Sequence, residues 1–326
     1  MTLLFDRHRR ITSPALVPVD LDGRARRSGE LTIGLVNNMP DSALKATDVQ
    51  IAKLLQQSAP RDVHIRLHCF SLPSIGRSPA AQSYLAQAYT QIDRLDRLGI
   101  DGLIVTGAEP IAAQLRDEPY WPDLTALIDW AKVNTRSTIW SCLAAHAAVL
   151  HLDDIERQRL AFKCSGIFDC VKVKDDWLTR NIHSPLKVPH SRLNAVNEPL
   201  LAARGYDILT RSADVGVDIF ARDMPSRFVF FQGHPEYDAL SLQREYMRDI
   251  ARYLAGQRDD YPRQPKSYFS AETEAVLTAF EARAKQRRDP TMAADLPGLT
   301  LRPDLASGSA ALVLFRNWLA YLGQSG

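Results

Sequence analysis

One cysteine stands where a nucleophile would be exposed at the edge of a sheet. Cys142 follows a short strand pattern at 137–141 and precedes small residues that are typical of a helix. A strand-to-helix corner presents its side chain at the carboxyl edge of a parallel sheet. The helix N-terminus lowers the pKa of a thiol and offers N–H groups to an oxyanion. Free cysteines are often buried structural residues, but this position favours a nucleophile.

A histidine and a glutamate follow a second apolar strand, in the segment GHPEY at 233–237. His234 could accept the thiol proton and Glu236 could orient the imidazole, which would make a Cys-His-Glu triad with Cys142. A histidine at a strand end also caps loops. The prediction therefore depends on the fold bringing the three side chains together.

Other polar and cationic side chains could hold an amino-acid substrate. Segment 189–192 reads Pro-His-Ser-Arg, Arg248 lies on the helix predicted after the histidine loop, and Lys163 precedes Cys164. A guanidinium group is a planar fork of donors that matches a carboxylate. Taken alone, each charge is equally typical of a solvated surface.

Motifs for nucleotide and metal binding are missing from the sequence. It contains neither G-x-x-x-x-G-K-[ST] nor G-x-G-x-x-G. The spacing of Cys164 and Cys170 does not fit a zinc knuckle, and His64 and His68 fall in a strand pattern. We therefore expect no cofactor and no metal.

Alternating strand and helix patterns would bring the strand ends to one edge. Strands that alternate with helices form parallel βαβ units, so we expect an α/β fold with a doubly wound, mostly parallel sheet and hairpin additions at one side. The predicted strands are 31–36, 63–70, 102–105, 137–141, 207–210, 217–221 and 227–232. The predicted helices are 43–58, 80–98, 122–133, 144–148, 241–254, 271–288 and 312–322.

Composition excludes several classes of protein. Of 326 residues, 45% are hydrophobic and 24% are charged, which is ordinary globular usage and excludes a disordered chain or a coiled coil. A net charge of +2 argues against polyanion binding. Four scattered cysteines do not make a disulfide scaffold. No apolar run approaches the roughly 18 residues of a membrane span, and the N-terminus lacks the pattern of a secretory signal. We expect a cytoplasmic protein that binds neither nucleic acid nor membrane.

Taken in order, several segments resemble the homoserine O-succinyltransferase family, whose members have a class I glutamine-amidotransferase-like fold. The resemblance extends from about residue 31 to 254 and resumes near 311. Each motif alone is unspecific, but the occurrence of all of them in this order is a strong indication of the family. The matching segments are IGLVNNMP (33–40), DGLIVTGA (101–108), YWP (120–122), Cys142 with Ala147 and Ala148, Lys163 with Ser165 and Gly166, PHSR (189–192), GHPEYD (233–238), REY (244–246), Arg248 with Asp249, and LFRNWLAY (314–321).

The resemblance implies an acyltransferase of methionine biosynthesis that needs only acyl-CoA as co-substrate. Cys142 would take the acyl group as a thioester, with His234 as the base and Glu236 as its partner. The hydroxyl of L-homoserine would then attack this thioester in a ping-pong cycle. Three residues stand at positions that bind substrate in the family: Lys163, Ser191 and Arg248. A homodimer is also implied.

The resemblance leaves the substrates open. In the family, a Gly or a Glu shortly after Thr-Gly-Ala separates succinyl from acetyl donors, and the corresponding residue here is Ile111. The acyl group could be succinyl or acetyl, and the acceptor homoserine or another hydroxy-amino acid such as serine. A glutamine amidotransferase-type hydrolase would need a Gly-x-Cys-x-Gly elbow, which Cys142 lacks. A non-catalytic binding protein of the same fold is the third hypothesis, and the intact Cys, His and Glu argue against it.

We predict three parts along the chain. Residues 1–30 would form an N-terminal arm, and 31–255 an amidotransferase-like acyltransferase domain. Residues 256–326 would form a C-terminal appendage that ends in a docking helix.

Overall fold

The computed structural model describes residues 2–5, 29–61, 63–296, 298–302 and 309–324. Within these ranges, ten strands form one sheet with helices on both faces. The strands are β1 (Thr2–Phe5), β2 (Glu30–Val36), β3 (His64–Phe70), β4 (Gly102–Val105), β5 (Ser137–Ser141), β6 (Gln158–Lys172), β7 (Leu186–Ala195), β8 (Asp207–Ser212), β9 (Gly216–Arg222) and β10 (Arg227–Phe231). The α-helices are α1 (Asp41–Ser58), α2 (Pro79–Ala88), α3 (Trp121–Asn134), α4 (Leu143–Asp153), α5 (Glu198–Ala203), α6 (Ser241–Leu254), α7 (Ala271–Gln286) and α8 (Ser309–Gly323).

The sheet confirms the α/β class but is mixed rather than mostly parallel. Its strand order is β1-β3-β2-β4-β5-β10-β9-β8-β6-β7. Four pairings between β3 and β10 are parallel, and the five outer pairings are antiparallel. The expectation of a mostly parallel sheet was wrong because β6 and β7 were missed. Much of β6 is exposed or half-buried, and its pairing with β7 is interrupted between Arg159 and Cys164, so it has no regular apolar pattern.

The central strands are buried on both faces, which explains their continuous apolar sequences. Successive side chains point to opposite faces. Ile104 and Ile139 therefore lie in the cluster that contains α1 and α8 residues, whereas Leu103 and Trp140 lie in the cluster of α3 and α4. A third apolar cluster joins α6 and α7.

The helix predicted at 80–98 is divided in the structure. Helix α2 ends at Ala88, Tyr89 is extended, and a 3₁₀ helix covers Ile92–Arg97. The Tyr89 hydroxyl donates to the buried carboxylate of Asp48 at 2.7 Å, and the Thr90 amide donates to Cys69 at the end of β3. These tertiary contacts end a helix that the spacing of apolar residues alone would continue.

Both ends of the described chain lie on the sheet. Thr2–Phe5 pairs antiparallel with β3, while residues 1 and 6–28 of the predicted arm lie outside the described residues. From the predicted C-terminal appendage, α8 packs on the same face as α1, and α7 packs against α6. No helix in the described ranges is long and apolar enough to cross a membrane.

Helix α8 depends on a glycine in β4. The buried Trp318 donates from Nε1 to the Ser137 hydroxyl at 3.0 Å, and its ring lies over Gly102. A Cβ at position 102 would stand 2.7 Å from the Trp318 ring and would also overlap Leu322. Glycine at this position therefore lets α8 approach the sheet backbone.

Helix α4 carries a fully buried histidine, His146. Neither of its ring nitrogens has a hydrogen-bond partner among the described residues. Burial, reinforced by the positive charges of Arg192 and Arg157, lowers its pKa to about 3. The imidazole is therefore neutral in the folded protein.

We expect Gly102→Ala to destabilise the protein by about 1–3 kcal/mol through overpacking. This cost exceeds the roughly 0.4–1 kcal/mol that a Gly→Ala change contributes by restricting the unfolded chain. Urea unfolding measures the effect. Gly76→Ala is the control, because a Cβ there meets nothing within 4 Å. Equal stability of the two variants would contradict the packing argument.

We expect His146 to make the protein sensitive to acid. With its folded-state pKa near 3 and an unfolded value of about 6.5, the unfolded chain binds a proton that the folded protein does not. The free energy of unfolding should therefore fall as pH decreases through this window, and His146→Leu should reduce the fall. Urea unfolding near neutral and at mildly acidic pH tests this, with the exposed His183→Leu as control. The same pH dependence in all three proteins would refute it.

Candidate active site

Cys142 occupies a strained turn between β5 and α4. Its backbone has φ 52° and ψ −112°, a conformation that a residue with a side chain rarely adopts and that costs of order 1–3 kcal/mol. The turn is held because the Cys142 amide donates to the Phe231 carbonyl at 2.7 Å, just beyond the parallel β5–β10 pairing. Strain that the surrounding sheet maintains is typical of a nucleophile elbow.

The loop after β4 lies against the first turn of α4. A Cβ on Gly107 would stand 2.9 Å from the Leu143 Cβ and 3.0 Å from the Leu143 nitrogen. Only glycine leaves the first amide after the nucleophile accessible from this side. Because the first N–H groups of a helix have no intrahelical acceptor, the Leu143 amide is placed to donate to an oxyanion.

His234 is held by the backbone and by two side chains. Its amide donates to the Pro189 carbonyl at 2.7 Å, and its Nδ1 lies 2.8 Å from Glu236 Oε1. Cys142 also interacts with the ring, and this interaction contributes to raising the pKa of His234. Ser141 donates to the same Glu236 oxygen at 3.4 Å. The structure thus brings together the three residues predicted as a triad.

The electrostatics of His234 favour the imidazolium. Burial of the ring works against the charged form, but the Glu236 carboxylate and Cys142 raise the pKa of His234 well above its usual value. A protonated imidazole beside the sulfur stabilises a thiolate, which is the nucleophilic form of cysteine.

Glu245 joins two predicted substrate-binding residues to the histidine, and the sequence analysis gave it no role. Lys163 Nζ lies 3.2 Å from Glu245 Oε2, and the Ser191 hydroxyl donates to the same oxygen. Tyr237 donates to Oε1 at 2.6 Å, and its ring stacks on His234 with centroids 4.2 Å apart. Burial opposes ionisation, but Lys163, Ser191 and Tyr237 lower the pKa of Glu245 to about 2. Lys163 and Ser191 therefore hold a carboxylate of the protein itself.

Of the three cations that contact Asp249, Arg248 has the fewest polar partners among the described residues. Lys163 also contacts Asp249 at 2.9 Å, and Arg258 lies 3.6 Å from the same carboxylate. Arg248 has a contact of 3.5 Å with Asp249, and its buried Nε has no hydrogen-bond partner among the described residues. Arg248 is therefore the predicted residue best placed to bind a substrate carboxylate.

Helix α6 crosses the carboxyl edge of the sheet near the nucleophile. At Glu245 it is tied to the His234 loop after β10, and at Arg252 it contacts Glu109 in the loop after β4, with 2.9 Å between Nη1 and Oε1. Strand β5, which leads to Cys142, lies between β4 and β10. Arg248 lies between the two ties, one helical turn from each.

The other predicted polar residues are placed differently. Arg192 is buried, and its Nη1 and Nη2 donate to the carbonyls of Asn194 and Val215 at 2.5 Å each, so it is not available to a substrate. The side chain of Ile111 is 80% exposed, while its amide donates to Glu118 Oε1 at 2.9 Å. Ile111 takes no part in the contacts that join the triad within the described residues.

Comparison with known proteins identifies the family to which this chain is similar. The profile of the family described as "Homoserine O-succinyltransferase" matches residues 17–325. The chain is 80% identical over 322 residues to a homoserine O-succinyltransferase of Bradyrhizobium japonicum, with 99% of both chains covered. It is 56% identical over 330 residues to one of Rhodopseudomonas palustris, again with 99% of both covered.

Solved structures are similar in fold. A glutamine amidotransferase from Methylobacillus flagellatus superposes with a TM-score of 0.50 and 17% identity, over 92% of this chain and 98% of that one. One from Thermotoga maritima has a TM-score of 0.50 and 12% identity, over 90% and 99%. The fold is thus that of the class I glutamine amidotransferases, and by its sequence the chain belongs to the homoserine O-succinyltransferase family.

Proposed function

We propose that this chain transfers an acyl group from acyl-CoA to the hydroxyl of L-homoserine, as a step of methionine biosynthesis, through a thioester on Cys142. The observation that carries the proposal is the buried imidazole of His234, which lies 2.8 Å from Glu236 and interacts with Cys142, the residue at the strained strand-to-helix turn. Membership of the family supports the same reaction.

In the first half-reaction, the Cys142 thiolate attacks the thioester carbonyl of acyl-CoA while His234 holds the proton. The oxyanion of the tetrahedral intermediate accepts a hydrogen bond from the Leu143 amide, which Gly107 leaves accessible. The C–S bond to CoA then breaks, and the CoA thiolate takes the proton from His234. The products are free CoA and acyl-Cys142.

In the second half-reaction, the homoserine hydroxyl gives its proton to His234 as its oxygen attacks the acyl-cysteine. The bond to Cys142 breaks, and the imidazolium again stands beside a thiolate. Arg248 binds the carboxylate of the amino acid, and Glu236 stabilises the charge on the ring. No metal or organic cofactor is needed for either step.

The names of the relatives favour succinyl as the acyl group, while acetyl is tested beside it. Ile111 remains the proposed position for acyl specificity. A homodimer is proposed from the family resemblance alone, and a cytoplasmic location is proposed from the sequence pattern. The same fold could hydrolyse glutamine, and that activity is an outcome of the test.

The test is intact mass spectrometry after incubation with succinyl-CoA or acetyl-CoA in the absence of acceptor. We expect a mass gain of one acyl group from one donor, and loss of this gain when homoserine is added. Cys142→Ala should show neither labelling nor turnover. Cys164→Ala, at a half-buried thiol outside the triad, is the matched control and should behave as the natural protein.

Labelling or turnover retained in Cys142→Ala would contradict the thioester. Absence of labelling from both donors, with release of ammonia from glutamine, would favour the hydrolase instead. Serine in place of homoserine tests the acceptor.

A further inference from the structure

A chain of buried polar side chains lies directly behind the loop that carries His234. His190 and Asp218 have fully buried side chains, and His190 Nε2 lies 3.4 Å from Asp218 Oδ1. The other carboxylate oxygen accepts a hydrogen bond from the Thr210 hydroxyl at 2.9 Å. Burying a carboxylate costs free energy unless it is paired and hydrogen-bonded. None of these residues has a role in the mechanism described above.

The tautomer of His190 follows from its second neighbour. Arg192 Nε donates to His190 Nδ1 at 3.3 Å, so Nδ1 is the acceptor and the ring proton lies on Nε2, facing Asp218. Burial lowers the pKa of His190, and the ring is therefore neutral. A neutral imidazole thus links the positive charge of Arg192 to the negative charge of Asp218.

The same cluster contains residue types that bind metals. Cys170 Sγ lies 4.0 Å from His190 Nε2, and ligand atoms of Cys170, His190 and Asp218 lie within 4.8 Å of one another. However, a metal would need the lone pair of Nε2, and the hydrogen bond from Arg192 places a proton there. Burial also raises the pKa of the Cys170 thiol, which disfavours a thiolate ligand. The contacts therefore favour a chain of neighbouring polar groups, with hydrogen bonds from Arg192 to His190 and from Thr210 to Asp218, over a metal site.

This chain contacts the backbone segment that leads into His234. A Cβ on Gly233 would stand 2.8 Å from Asp218 Oδ1 and 2.9 Å from His190 Nε2, so the backbone of this glycine packs directly against both groups. The Gln232 amide donates to the backbone carbonyl of Asp218 at 2.8 Å. The amide of His234 donates to Pro189, the residue before His190.

We propose that Asp218 and His190 are positioning residues, which hold the Gln232–His234 backbone so that the imidazole stays aligned between Cys142 and Glu236. The inference rests on the proposed function, because it takes His234 as the base. It gives the buried pair an indirect role in the reaction, which requires no contact with the substrate.

The test compares Asp218→Asn and His190→Gln with the natural protein. The rate of Cys142 acylation is measured by rapid quench and mass spectrometry. A misplaced base typically costs on the order of 10²-fold in rate, and we expect a loss of this order with little change in the apparent KM for acyl-CoA. Because the two residues act as one unit, the double variant should be no slower than the slower single variant.

A pH profile separates positioning from general destabilisation. Glu236 and Cys142 raise the pKa of His234. A loosened alignment should lower this pKa, so the pH at which the acylation rate changes because His234 loses its proton should be lower in both variants. Leu55→Ala, a core substitution in α1, is the control. It should lower the melting temperature without moving the inflection. If Asp218→Asn fails to fold, Thr210→Val removes one hydrogen bond to the same carboxylate and takes its place.

Natural rate and pH profile in folded Asp218→Asn would overturn the inference while Cys142 acylation still supported the proposed function. Stoichiometric zinc in the purified natural protein would also overturn it. Failure of the natural protein to acylate Cys142 with any donor would instead refute the proposed function.

Discussion

The active-site geometry depends on the hydrogen bond between His234 and Glu236. Both side chains are nearly buried, so each charge needs a partner at close range. The carboxylate at 2.8 Å and the neighbouring Cys142 make the imidazolium stable, because both raise the pKa of His234. The result is a row of three side chains in which the charged ring stands between the carboxylate and the sulfur. Removal of the Glu236 charge would leave the buried ring in an environment that favours its neutral form.

The sheet supplies the alignment that this row of side chains requires. Strands β5 and β10 are parallel neighbours, so the residues that follow them emerge side by side at one edge. The amide of Cys142 is bonded to the last residue of β10, which couples the position of the nucleophile to that of the histidine loop. Helix α6 then adds Glu245 and Arg248 above the same edge. The proposed catalytic and binding groups thus come from elements far apart in sequence.

Local patterns predicted the elements that are buried on both faces, together with the residues at their ends. Strands β4 and β5 and helix α6 have the predicted bounds, and Cys142, His234 and Glu236 meet as expected. Strand β6 was missed because its exposure is irregular. The role of Glu245 could not be predicted, since its partners Lys163 and Ser191 lie more than fifty residues away in the sequence. The spacing of residues within a helix or strand gives no information about contacts at such separations.

The most direct measurement is a ¹⁵N NMR titration of the His234 imidazole, assigned by comparison with His234→Asn. The account predicts that the ring stays protonated well above pH 6.5 in the natural protein, and that in Glu236→Gln its pKa falls markedly because the carboxylate partner is lost. Tyr237→Phe, which keeps the stacked ring, should leave the elevated value in place. A His234 that titrates near its ordinary value of about 6.5 in the natural protein would contradict the account.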